Sequence, residues 1–180
     1  MVIWQTCHLD VYQKHTRNAK MSLIVENDCD YILHTPERRD QFVNMMGSPE
    51  LVKIYNEINW IHLKNWVWKM LVLFRFGGIV IDPRISCLKN FKELILENDE
   101  GLIINSKVMM FCKGHMLIKN LITNFISNYN EKTLEFIFEI QTEEALYDEF
   151  TTLYESQVQQ ISDSAKNCRA STVQNQMTSF

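Results

Sequence analysis

The sequence predicts an α/β fold, and three observations carry that expectation. Two short β-favouring runs, Val2-Ile3-Trp4 and Asp30-Tyr31-Ile32-Leu33-His34, are separated by a stretch able to form an amphipathic helix. The segment from Ile61 to Phe76 is apolar almost all round, which describes a helix enclosed by protein rather than one lying on a surface. Gly77-Gly78 then stops that helix, and Ile79-Val80-Ile81 reads as a buried strand. Strands alternating with helices in this way build a sheet covered by helices.

Each element has its own local reason. The mixed run from Asp10 to about Glu26 forms the first helix and closes at the turn Asn27-Asp28. After the second strand, Thr35 supplies a side-chain oxygen to cap a helix whose first residue is Pro36. Ser48-Pro49-Glu50 repeats the device and opens a helix through Val52, Ile54, Tyr55 and Ile58. On the enclosed helix the polar stripe is His62, Asn65 and Lys69, whose spacing puts them on one face. The strand after Gly78 ends on Asp82, and the carboxyl end of a buried strand is where open α/β sheets hold their ligands. Further on, Asn90 to Asn98 reads as helix, Leu102 to Asn105 and Val108 to Cys112 as strands, and Gly114 to Tyr129 as helix. Thr133 to Ile140 reads as a weak strand and Thr142 to Tyr154 as a helix. Residues 1–155 therefore make one domain. Residues 156–180, rich in Ser, Gln, Asn and Thr, lack the apolar surface to order themselves and read as a mostly disordered tail.

Composition narrows the function classes. The 180 residues are 46% apolar and 22% charged, a balance that supports a core and excludes a disordered chain. A net charge of -4 gives no general attraction to phosphate backbones, so nucleic acid is not an expected partner. No apolar run reaches the length of a membrane span, and the opening residues have no leader pattern, so a cytoplasmic setting is expected, with the secretory pathway open to a longer product. Five scattered cysteines, Cys7, Cys29, Cys87, Cys112 and Cys168, form no C-x-x-C pair and read as buried thiols in a reducing compartment. None of His8, His15, His34 and His62 has metal-ligand spacing to acidic or cysteine partners.

The stretch Trp66 to Leu88 resembles the sugar-binding region of the DXD-containing glycosyltransferases, glycosyltransferase family 32, the group of the yeast initiating α-1,6-mannosyltransferase. Leu73, Gly77, Gly78 and Asp82 fall at the family's spacings, and Cys87-Leu88-Lys89 with Phe91-Lys92-Glu93-Leu94 is similar to its continuation. Ile3-Trp4-Gln5-Thr6 resembles the family's first strand, Asp30-Tyr31-Ile32-Leu33 its second, and Pro49-Glu50-Leu51 with Ile54-Tyr55 the helix that follows. Asn105 and Lys113-Gly114-His115 resemble downstream family positions, so the likeness runs in order over residues 1 to 130. It implies a Rossmann-like nucleotide-diphospho-sugar transferase fold of GT-A type and transfer of a hexose from a UDP- or GDP-linked donor to a glycan or protein acceptor. It also implies donor contacts from Trp4, Lys69, Gly77, Gly78, Asp82 and Asn105, with Trp4 stacking on the nucleobase, and a manganese or magnesium ion held at Asp82. Such an ion would offset the charge that develops on the leaving diphosphate.

Departures from the family pattern qualify these expectations. The second acid of the DXD pair is Arg84, and a guanidinium cannot coordinate a cation. The family's sugar-holding Asp and Arg are here Trp66 and Lys69, and no histidine follows His115. Two readings result: Asp82 and Arg84 serve the chemistry directly, with Arg84 and Lys69 neutralising the diphosphate without metal, or the chain keeps the fold as a non-catalytic nucleotide-sugar-binding or protein-interaction module. Residue by residue there are plain alternatives as well. Trp4 is either a stacking platform or a core aromatic, Asp82 either a ligand or a turn cap, Lys69 either a donor contact or a snorkelling surface group, and His115 a helix-start residue.

Overall fold

A computed structural model describes residues 1–6, 24, 29–83, 85–87, 90–91, 100–104, 108–129, 168–170 and 177–179. Its elements are strands β1 (Val2–Thr6) and β2 (Asp30–His34), helices α1 (Pro36–Met46), α2 (Pro49–Glu57) and α3 (Ile61–Phe76), and strands β3 (Gly78–Ile81), β4 (Ile85–Cys87), β5 (Gly101–Ile104) and β6 (Val108–Phe111). Helix α4 (Met116–Asn128) and strands β7 (Cys168–Ala170) and β8 (Met177–Ser179) complete the described set.

The expectations for the two proline-led helices hold. Thr35 Oγ1 accepts the amide of Arg38 and Ser48 Oγ that of Leu51, so both proline-led helices carry their caps. The helix expected over residues 114–129 begins later, at Met116, because Gly114 adopts a positive φ and His115 becomes the cap, accepting the Leu117 amide on Nδ1 at 3.1 Å. That is the helix-start role expected of His115. Cysteine burial differs from expectation, since Cys112 is an exposed thiol and Cys29 is half-buried. All but residue 24 of the helix expected over residues 10–26, nearly all of that expected over 90–98, and the elements expected between 133 and 154 lie outside the described residues, as does the boundary at 155. Two short segments of the 156–180 stretch, β7 and β8, pair as strands.

Six strands form one sheet in the order β2-β1-β3-β6-β5-β7, and β4 pairs with β8 in a separate ribbon. β2, β1 and β3 run parallel, β6 runs antiparallel to both β3 and β5, and β5 and β7 are parallel, so the sheet is mixed. Alternation along the strands feeds two cores. Trp4, Val80, Met109 and Phe111 join the helices α1 to α4 in the larger one, while Ile3, Ile79, Ile81, Leu102, Val108 and Phe91 form a second cluster. α3 is the centre of the helix layer, with Val67, Trp68, Met70, Leu71, Val72 and Leu73 all buried, as its all-round apolar sequence requires. Each such side chain contributes about 1.5–3 kcal/mol of burial free energy. Among the described residues no helix is long and apolar enough to cross a membrane.

Candidate functional site

The sheet has a topological switch point. β1 lies between β2 and β3, so the chain turns toward β2 from the carboxyl end of β1 and comes back through α1, α2 and α3 to enter β3 at its amino end on the other side. The carboxyl strand ends at such a point are where open α/β sheets hold ligands. Asp82 directly follows β3 at this edge and is 9% exposed, so the carboxylate belongs to the interior and not to bulk solvent. The register Ile3 to Ile79 and Trp4 to Val80, carried forward, brings Thr6 beside Asp82.

Buried polar groups of β1 line the same edge. Gln5 Nε2 donates to the backbone carbonyl of Asp82 at 3.4 Å, and the hydroxyl of Tyr31 on β2 donates to Gln5 Oε1. Thr6 Oγ1 donates to the carbonyl of His34 at 3.0 Å, joining the ends of β1 and β2. His34 itself accepts the indole N–H of Trp68 on Nδ1 at 3.0 Å, and its ring lies among Trp4, Phe42 and Trp68. Burial first, and then the nearby Arg38 guanidinium, hold its pKa below the usual histidine value, so at neutral pH it is an uncharged imidazole with its proton on Nε2.

The residues expected to bind a donor are divided between two places. Asp82 stands at the carboxyl edge. Lys69 is half-buried on α3, one position after Trp68, whose bond to His34 sets that part of the helix at the height of the same edge. Gly77 and Gly78 stand at the opposite, amino edge, one strand length away, about 13 Å at 3.3 Å per residue. Their positive φ angles, 69° and 101°, turn α3 into β3, and a Cβ on Gly78 would come within 2.5 Å of Val2 O. One on Gly77 would come within 2.7 Å of Lys113 N. These glycines serve chain reversal and close strand approach. Trp4 is 7% exposed, donates its indole N–H to Gly77 O at 3.0 Å and stacks on Phe76 at 5.6 Å, which is the core-aromatic alternative. A cavity of about 350 Å³ also lies at the amino edge, walled by Val2, Phe76, Gly77, Gly78, Phe111 and Cys112 among others. Arg84 and Asn105 lie outside the described residues.

A second polar cluster joins the three helices before β3. Arg39, 3% exposed, donates to Asp40 Oδ1 at 2.8 and 2.9 Å, to the Tyr55 hydroxyl at 3.0 Å and to Asn65 Oδ1 at 2.7 Å. The Tyr55 hydroxyl also donates to Asp40, and Lys64 Nζ stands over the Tyr55 ring at 4.9 Å. Burial opposes ionisation of Asp40, but the hydrogen bonds from Tyr55 and Arg39 and the charges of Arg39 and Lys64 outweigh it and set the pKa below the ordinary value. Burial and the Asp40 bond push the Tyr55 hydroxyl far upward. The network uses Asn65 of the polar stripe for packing α3 on α1, so its role is structural.

Gln5, Tyr31 and His34 are polar residues of this edge that the sequence does not single out as site residues. The available signal was a glutamine inside an otherwise buried strand, since a buried amide is costly unless its hydrogen bonds are made.

No family model matches this chain, and no curated protein does. Among solved structures the chain is similar to one described as "PaToxG Glycosyltransferase", with a TM-score of 0.55 and 12% identity, covering 88% of this chain and 73% of that one. At that identity the likeness is one of architecture. The chain has a glycosyltransferase-like α/β fold of GT-A type, a mixed sheet flanked by helices.

Proposed function

We propose that this chain is a glycosyltransferase-like protein of the DXD-containing kind that takes a UDP- or GDP-hexose at the carboxyl ends of β1 and β3. The observation that carries this reading is the buried Asp82 at the switch point of a glycosyltransferase-like sheet. In transfer, the bond from the sugar's anomeric carbon to the diphosphate breaks and a bond to an acceptor hydroxyl oxygen forms. The acceptor, a glycan or protein hydroxyl, releases its proton, and the nucleoside diphosphate leaves with the bonding pair. The need is therefore for positive charge at the leaving phosphates.

A manganese or magnesium ion does not fit the residues at this position. Asp82 is a single carboxylate followed by Pro83 and Arg84, and an oxygen-seeking cation needs several oxygen ligands. Among the described residues no three His, Cys, Asp or Glu side chains come together. In this proposal Asp82 accepts hydrogen bonds from the donor's sugar or ribose hydroxyls, while Arg84, in a bidentate fork, and Lys69 neutralise the diphosphate.

The test is a titration of UDP- and GDP-hexoses, with and without manganese, followed by thermal melting and by release of nucleoside diphosphate. A melting rise that persists in chelator and is lost in Arg84→Ala and Asp82→Asn supports the reading. The absence of any response to either donor in the folded wild-type protein removes it. A second reading, a non-catalytic nucleotide-sugar-binding or protein-interaction module, is favoured by the absorption of Trp4, Gly77 and Gly78 into packing. Binding without release of nucleoside diphosphate under any acceptor would select it.

A further inference from the structure

Gln5 is the most deeply buried polar side chain at the carboxyl edge of β1 and β3, 1% exposed, and the proposed chemistry does not use it. Alternation along β1 gives it the parity of Ile3, which packs with Ile79 and Ile81, so an apolar residue of the same volume would suit the surroundings. Instead there is a carboxamide with both ends bonded. Its orientation follows from its partners: a backbone carbonyl only accepts, so the NH2 group faces Asp82 and the oxygen is left for the Tyr31 hydroxyl.

What the amide holds is the start of the turn that carries the candidate site. Asp82 lies beyond the last paired residues of β3 and β6, Ile81 with Val108, and the next residue is Pro83, which has no N–H. The carbonyl of Asp82 is thus past the ladder, and Gln5 Nε2 is the donor that reaches it from β1. We infer that Gln5 is a positioning residue: it tethers the Asp82-Pro83 turn to β1, with Tyr31 locking the amide, and so fixes where the Asp82 carboxylate meets a ligand. The consequence for donor affinity rests on the nucleotide-sugar reading; the tether itself does not.

The experiment uses the full chain, with Gln5→Met, Gln5→Glu and Tyr31→Phe, and reads two quantities: amide hydrogen exchange along the sheet, and affinity for UDP- and GDP-hexoses by calorimetry. In Gln5→Met, exchange across residues 84–87 rises about tenfold or more while residues 3 and 79–81 stay within about twofold, and donor affinity falls about tenfold. Tyr31→Phe keeps the amide but frees it to turn, and gives the same local pattern with a smaller rise; it serves if Gln5→Met fails to fold. Gln5→Glu behaves like Gln5→Met at pH 8, where its carboxylate only accepts, and recovers protection when acid restores an O–H donor to the Asp82 carbonyl. Exchange in residues 84–87 that is unchanged, or that rises equally across the whole sheet, overturns the inference. A local exchange effect in a protein that binds no nucleotide sugar upholds the tether and removes the transferase reading. Normal donor binding with no local effect in Gln5→Met does the reverse.

Discussion

The indole N–H of Trp68, in the middle of α3, donates to Nδ1 of His34, the last residue of β2, at 3.0 Å. This one bond ties the central helix to the carboxyl edge of the sheet and selects the Nε2–H tautomer of the histidine. It also requires that His34 stay neutral, because a protonated Nδ1 would face an N–H donor with no lone pair to offer.

Stability should therefore fall on mild acidification. The folded pKa of His34 is lowered by burial and then by Arg38, and that of His115 is lowered by burial against the opposing pull of Glu100. A depressed folded value means that the unfolded chain takes up the proton first, so the stability is complete above the unfolded value of about 6.5 and is lost as pH falls below it. Denaturation midpoints from pH 7.5 to 5 are expected to decline, with a shallower decline in His34→Gln. Nitrogen chemical shifts of the imidazole at pH 7.5 are expected to report Nε2–H; an Nδ1–H tautomer would contradict the Trp68 bond.

The Arg39, Asp40 and Tyr55 network acts in a lower window. Asp40 has a depressed pKa, so its contribution is present above the ordinary aspartate value, about 3.9, and disappears as pH falls through the lower folded value. Asp40→Asn should flatten the acid limb of the stability curve below pH 4. Tyr55→Phe removes a buried hydroxyl that bonds both Arg39 and Asp40 and should destabilise by about 1–3 kcal/mol in urea titrations at pH 7.

Gly78→Ala should be among the most damaging single-methyl changes in the chain. It combines a φ of 101° with a Cβ 2.5 Å from Val2 O, and a loss of about 3 kcal/mol or more is expected in chemical denaturation. Because Gly78 lies at the amino edge, whatever protein remains folded at low temperature should keep the donor affinity of the wild type. A selective loss of affinity with stability intact would show that the amino edge takes part in binding.

Removing a helix cap gives a smaller, local effect. Thr35→Ala and Ser48→Ala each delete an oxygen that accepts a first-turn amide, and each should lower stability by about 1 kcal/mol with no change in the slope of the urea transition.

Legibility followed the range of the interactions. The caps at Thr35 and Ser48, the glycine stop after Phe76 and the burial of Ile79 to Ile81 are decided within a few residues, and each was readable from neighbours in sequence. The role of Trp4 was not, because its indole meets Gly77 across seventy-three positions and one side chain suits a stacking platform and a core equally well. The close approach of Gly78 to Val2 O and of Gly77 to Lys113 N was not readable either, because those partners are far away in the sequence.

Periodicity, capping and glycine conformation act locally, and from them follow the α/β class, the enclosed helix and an acid at the end of a buried strand. The strand order that sets β1 between β2 and β3, the coupling of Gln5 to Asp82 and the pairing of Trp68 with His34 emerge with the folded chain. Those depend on which residues distant in the chain share an edge, and that is set by how the sheet and the helix layer bury their faces against each other.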